Sequence, residues 1–260
     1  MNTNALMTTD LLSLIQRGRQ PAPPRILIYG TEGIGKTTLG AQAPSPIFIQ
    51  TEDGMRGLDA DRFPVTSRLE SIENALDRLA VGGHDYKTIV LDSVDATERI
   101  IWDWLCAETG AKSIEFVDGG YQRGYQRAVN VWRRVLAKLQ TLNAQGLIVI
   151  LIAHAKTEKF DDPMTSTYDR FAPRLHKTSS AVITEWVDVV AFATYSFYVK
   201  VDGSRKRVEC ALGNRVLRTV GSPACVAKNR YGLSGDLPLS WQDLYSPIDA
   251  FLKGSSNGNS

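Results

Sequence analysis

Residues 25–40 read RILIYGTEGIGKTTLG. The apolar run through Tyr29 is continuous rather than alternating, as in a parallel strand buried on both faces. It ends at Gly30, and Gly30, Gly35, Lys36 and Thr37 fit G-x-x-x-x-G-K-[ST]. A helix is expected from Lys36 through KTTLGAQA. The glycines let the backbone wrap closely and aim its N–H groups at phosphate oxygens. The helix that opens there adds its positive end. On this reading Gly30, Thr31, Glu32, Gly33, Ile34, Gly35, Lys36, Thr37 and Thr38 cradle a nucleotide, with Lys36 on the β- and γ-phosphates and Thr37 on Mg²⁺. A bare glycine turn would leave the flanking strand and helix unexplained.

The pattern outward from this loop is alternating. PIFIQTEDG (46–54) reads as a strand ending in acids, 68–81 as a helix, KTIVLDS (87–93) as a buried strand and 94–109 as a helix. A turn-rich AKSIEFVDGG (111–120) precedes a long helix over 121–144, and GLIVILIAHAK (146–156) is a fourth buried strand. Residues 156–177 are polar without a clear period and read as a long loop; a short helix follows. Residues 187–228 read as successive strands with a hairpin turn at VDGSR (201–205), and a helix near 246–252 precedes a flexible tail. Such an order predicts an α/β fold: a mainly parallel twisted sheet flanked by helices, with an antiparallel C-terminal extension. Residues 1–24 form an N-terminal helix (9–19) and a Pro-rich linker, 25–252 the core, and 253–260 the tail.

TIVLDS places Asp92 at a strand end, where an acid can share Mg²⁺ with Thr37 or simply cap the next helix. Ser93 follows Asp92, whereas an AAA+ enzyme usually has its catalytic Glu directly after that Asp. Another acid must then polarise the attacking water. FIQTEDG offers Glu52, with Asp53 as competitor and helix capping open to both.

The loop at Gly30, Glu52, IVLDSV (89–94) and VILIAH (149–154) together resemble RecA-like P-loop ATPases. The resemblance covers most of the chain. It implies ATP and Mg²⁺ as cofactors, Glu52 as the water-activating base and His154 as a γ-phosphate sensor; a locally satisfied strand-end histidine is the alternative. It also implies that AKNRYG (227–232) lends Lys228 and Arg230 to the ATP of a neighbouring copy, as cations offsetting charge that develops in phosphoryl transfer. A basic edge strand that deters sheet association is the competing reading.

RecA-like proteins bind DNA through two loops. DGGYQRGYQRA (118–128) interleaves Tyr121, Arg123, Tyr125 and Arg127, a stacking and phosphate-contacting pattern. Tyr121 and Tyr125 at i and i+4 are equally suited to ordinary packing. RFAPRLHK (170–177) supplies Arg170, Arg174 and Lys177 from the second segment, where a solvated charge run is the alternative. The trimmed layout is similar to the phage single-strand annealing group of this family. That implies single-stranded DNA, further copies in a ring or filament, and a single-strand DNA-binding protein as partners, in a bacterial host cytoplasm. A replicative helicase motor or loader, marked by directional unwinding, is a second possibility. A regulatory ATPase with DNA-independent hydrolysis is a third.

Composition agrees. The 260 residues are 43% hydrophobic, enough for one large core, and the formal charge of +2 excludes a polycationic coat but not a local basic groove. Cys106, Cys210 and Cys225 form no CxxC pair, so no zinc site or disulfide framework is expected and a reducing compartment fits. No apolar run reaches the ~18 residues of a membrane span, and the N-terminus lacks the pattern of a signal peptide.

Overall fold

A computed structural model describes residues 15, 18, 20–163, 166–202 and 205–254, with side chains described outside 197–213. The expected 9–19 helix, the 255–260 tail and the Cys210 side chain lie outside these. Among the described residues ten strands form one sheet: eight lie in the order β10-β8-β7-β1-β5-β4-β2-β3, with β6 paired on β5 and β9 on β7. The central strands are β1 (Arg25–Gly30), β2 (Pro46–Gln50), β3 (Asp61–Arg62), β4 (Thr88–Asp92) and β5 (Ile148–Phe160). β7 (Val189–Asp202) runs parallel to β1, while β8 (Arg205–Arg218), β9 (Lys228–Asn229) and β10 (Asp236–Pro238) add the antiparallel extension. The α/β architecture expected from the sequence is the one observed.

Both faces of the sheet are covered, which is why β1 reads apolar at every position. Leu27 and Tyr29 pack with α2 (Leu69–Ala80), α3 (Val94–Thr109) and α4 (Arg123–Ala144). Ile26 and Ile28 face the other way, onto α1 (Lys36–Ala41) and α6 (Trp241–Gly254). Among the described residues no helix is long and apolar enough to cross a membrane.

Two expectations need correction. The segment 156–177 is not a loop: β5 continues to Phe160 and turns back as β6 (Tyr168–Pro173), paired from Ala155↔Pro173 to Phe160↔Tyr168. Beyond Ala155↔Pro173 each cross-strand pair holds a polar or aromatic residue: Arg170 meets Glu158 at 2.9 Å, and the Phe160 and Tyr168 rings lie 5.6 Å apart. A hairpin without one buried face has no apolar alternation to read. The last helix starts at Trp241 rather than 246, capped by Ser240 Oγ accepting from Asp243 N at 3.1 Å and buried through Trp241, Leu244 and Ile248. Pro247 sits inside it.

The N-terminal ends of β1 and β7 carry a charged cluster. Asp188, 11% exposed, accepts from Arg25 Nη2 and Arg230 Nη1, each at 2.8 Å. Lys228 Nζ donates to the carbonyls of Thr184 (2.8 Å), Glu185 (3.1 Å) and Val187 (2.7 Å). These are orphan acceptors at the end of α5 (Lys177–Trp186). An ammonium has three donors, and all three of Lys228 are committed. Lys228→Met should therefore lower the free energy of unfolding by about 1–3 kcal/mol in urea titrations; unchanged stability would contradict a capping role.

Candidate nucleotide site

The glycine loop lies between β1 and α1, at the C-terminal edge of the parallel strands. Two glycines are required by contacts. A Cβ on Gly30 would sit 2.4 Å from the Ala193 carbonyl oxygen of β7, so the strand ends could not approach as they do. Gly35 has φ +108°, and a Cβ there would also lie 2.9 Å from Arg215 Nη1. Ile34 is 1% exposed and anchors the loop in the core beneath.

The loop opens on a cleft of about 360 Å³ whose walls include Lys36, Thr37, Thr38, Glu52, Asp92 and His154, with Glu32 and Gly33 at its tip. Lys36 Nζ donates to the carbonyls of Gly30 (3.0 Å) and Thr31 (2.8 Å). Burial lowers its pKa, against the pull of Asp92. Thr37 Oγ1 donates to Asp92 Oδ2 at 2.7 Å. Burial pushes the Asp92 carboxyl up, and the Thr37 hydroxyl and Lys36 pull it back.

Strand order explains this convergence. β5 lies between β1 and β4, with Gly30 beside His154 and Asp92 beside Ile152. β2 flanks β4, with Gln50 beside Asp92. Glu52, just past β2, is then held at the cleft by Ser93 Oγ (3.0 Å) and Arg99 Nη2 (3.1 Å), with His154 Nδ1 3.9 Å away. The competitor Asp53 is bound instead by Arg56 at 2.6 Å and lines a neighbouring cleft.

The cleft fits a nucleoside triphosphate with Mg²⁺. The loop and Lys36 suit phosphate, and the Thr37–Asp92 pair offers one hydroxyl and one carboxylate to a hard cation. Among the described residues there is no cluster of three or more His, Cys, Asp or Glu ligands. Mg²⁺ held here would draw its other ligands from phosphate and water, as this ion commonly does. Bound, it would neutralise charge on the phosphate oxygens.

Asp95, and its link to His154 and Arg174, had no signal in the sequence. Asp95, in the first turn of α3, is 1% exposed. It accepts from His154 N (3.0 Å) and from Arg174 Nε (3.0 Å) and Nη2 (2.7 Å), and lies 3.0 Å from His154 Nδ1. Burial opposes its charge, but the bonds from His154 and Arg174 win and hold its carboxyl well below the usual range. An ionised Asp95 makes Nδ1 the protonated nitrogen, leaving Nε2 toward Glu32, 4.0 Å away. An acid in a first helical turn looks like a dipole partner; its burial depends on β6 and has no local signal.

The other expected residues are dispersed. Lys228 and Arg230 lie at the opposite end of the sheet, Arg230 beside a separate cleft of about 450 Å³ with Arg25, Tyr231 and Phe251. Tyr121 is 93% exposed. Tyr125 stacks on His176 with centroids 3.9 Å apart. Arg123 bonds the Asp118 carbonyl, and Arg127 pairs with Asp118 and Glu108. Arg170 pairs with Glu158 and lies over the Phe160 ring, Lys177 is exposed, and Arg174 turns inward to Asp95.

Asp92→Asn should cost Mg²⁺-dependent triphosphate binding while leaving the fold intact, because it keeps size and a hydrogen bond to Thr37 but loses the charge. Titrating a fluorescent nucleotide with and without Mg²⁺ checks this, and an unchanged Mg²⁺ dependence would contradict it.

The chain aligns with the SPbeta prophage-derived uncharacterized protein YorG of Bacillus subtilis (strain 168) at 26% identity over 138 residues. That alignment covers 52% of this chain and 42% of YorG, so it spans less than half of that protein. A match to the family described as AAA domain extends over residues 22–231, from the linker before β1 to just past β9. The chain belongs to this AAA domain family of P-loop ATPases.

Proposed function

We propose that the chain is a Mg²⁺-dependent ATPase that binds single-stranded DNA and completes its ATP site between copies of itself, in the manner of RecA-like annealing proteins. The observation that carries the ATPase chemistry is Glu52. Ser93 stands where a catalytic acid could follow Asp92, and its hydroxyl instead orients the Glu52 carboxylate across the cleft from Lys36. In hydrolysis, water attacks the γ-phosphorus and the bond to the β–γ bridging oxygen breaks, giving ADP and phosphate. Glu52 accepts the proton of that water, and Lys36 and the loop N–H groups stabilise the developing charge.

The DNA reading is supported by a juxtaposition. Tyr125 of the first candidate segment stacks on His176 of the second, so the exposed Tyr121 turn and the base of the β5–β6 hairpin are neighbours. Phe116, 65% exposed, lies in the same turn. Exposed rings beside Arg123 and Lys177 suit bases and phosphates without demanding a sequence. The prophage origin of YorG is in keeping with a phage setting, hence a bacterial cytoplasm and a single-strand DNA-binding protein as partner.

The paired-cation reading divides. Lys228 is committed to carbonyls of its own chain, whereas Arg230 is 50% exposed and shares Asp188 with Arg25. Arg230 is the cation a neighbouring ATP would recruit.

Glu52→Gln should reduce kcat by about 10²–10⁴-fold with ATP affinity retained. Single-stranded DNA should stimulate the unmodified protein, with DNA binding weakening steeply with salt. DNA-independent turnover and no binding to labelled single strands would favour a regulatory ATPase, and directional unwinding would favour a helicase motor.

Arg230→Ala should lower hydrolysis while sparing ATP affinity, and mixing it with Glu52→Gln should restore part of the activity, since some interfaces regain a full set. Strictly additive activity across mixing ratios would place Arg230 in service of its own chain.

A further inference from the structure

Beside the nucleotide cleft, behind its His154 wall and within 3.8 Å of Glu32 at its tip, lies a cation that the loop, the base and the sensor do not account for. Arg174 follows β6, and its backbone N–H donates to the His154 carbonyl at 2.8 Å, fixing it beside the end of the sensor segment. Its guanidinium is turned in. Nε and Nη2 bind one oxygen of Asp95, and Nη1 reaches toward the loop tip, 3.8 Å from Glu32 Oε1. Guanidinium has five N–H donors in a fixed fork. The Asp95 side fixes the plane; the Nη1 side meets only a carboxylate that is 77% exposed and beyond hydrogen-bond distance. An exposed pair of that kind is weak and easily replaced.

We propose that Arg174 is the chain's own contact to the terminal phosphate of the bound nucleotide, with Asp95 as the positioning residue that aims both Arg174 and His154. This rests on the ATPase reading above and names a further residue of that site. Three features favour a phosphate over a merely structural pair. Asp95 takes Nε and one proton of Nη2, so the Nη1–Nη2 end of the fork keeps donors for a bidentate contact. Of the two side chains on Asp95, His154 lines the cleft 3.9 Å from Glu52, and Arg174 reaches the cleft's edge at Glu32. Glu32 is the group a triphosphate would displace, trading a screened carboxylate for a phosphate of higher charge. A diphosphate ends short of this wall, so Arg174 distinguishes ATP from ADP. Because Arg174 ends the β5–β6 hairpin, the same contact ties that hairpin to the nucleotide.

The test is competition against a fluorescent nucleotide by ADP and by a non-hydrolysable ATP analogue, each with Mg²⁺. The unmodified protein should favour the analogue. Arg174→Ala should weaken the analogue by about ten- to a hundredfold with ADP affinity unchanged, and Arg174→Lys should recover part of the difference. Removing Arg174 alone leaves Asp95 short of a partner, so Arg174→Ala combined with Asp95→Asn is measured as well, with thermal unfolding to report the fold. If the single variant does not fold, the ratio in the double variant decides. Unchanged discrimination in a folded variant lacking Arg174 overturns the proposal. An unmodified protein that binds neither nucleotide would instead remove the ATPase reading, and this inference with it.

Discussion

The parallel register of four buried strands is the constraint from which the site follows. β1, β5, β4 and β2 are apolar on both faces, so their backbone groups are satisfied by one another. A slip of one residue would turn every side chain to the opposite face. With Gly30 level with His154, and Asp92 level with Gln50 and Ile152, everything just past those positions leaves the sheet at one edge. The loop, Glu52, Asp92 and His154 come together because their strands end together. Gly30 shows how tight this is, since even a methyl would meet the backbone of β7.

Each end of the sheet is organised by a buried carboxylate. Asp95 gathers His154 and Arg174 at the C-terminal edge, and Asp188 gathers Arg25 and Arg230 at the other. For Asp188, as for Asp95, burial opposes ionisation and the hydrogen bonds of its partners override it, Arg25 foremost, lowering its pKa. The sign of the linkage follows. Stability from Asp188 is present above the unfolded pKa near ~3.9 and is lost as pH falls through the lower folded value. Such clusters add little net stability over apolar packing. What they supply is geometry, holding long side chains in one orientation where they would otherwise explore many rotamers.

That division explains how much could be read from sequence. Runs such as ILIY and IVLD carry their burial in their composition, so the central strands, the phosphate loop and Asp92 were legible. Glu52 and Asp53 could both be named, but which of them faces the cleft needed the structure, in which Arg56 three residues on pairs with Asp53 and Glu52 lines the cleft. The β5–β6 hairpin was not legible, since neither face supplies an apolar period. The contact of Arg174 with Asp95 was hidden for the same reason: its place there, 79 residues later in the chain, exists only once that hairpin has turned back. Lys228 was misleading in another way. Its spacing from Arg230 invites a shared role, whereas its three carbonyl partners come from a helix end some forty residues earlier.

The contrast between Lys228 and Arg230 bears on assembly. Moving Lys228 toward another molecule would strip three carbonyls of their donor at once. Moving Arg230 would leave Asp188 bound by Arg25 through its backbone N–H, Nε and Nη2, so the buried carboxylate would stay compensated. The two cations therefore differ in the cost of release rather than in charge. Arg25, itself stacked on Trp186 with 4.9 Å between the guanidinium carbon and the ring centroid, makes that cost low. To serve a neighbouring copy as proposed, Arg230 would need a second cation to stay behind on Asp188, and Arg25 at the start of β1 is placed to be one.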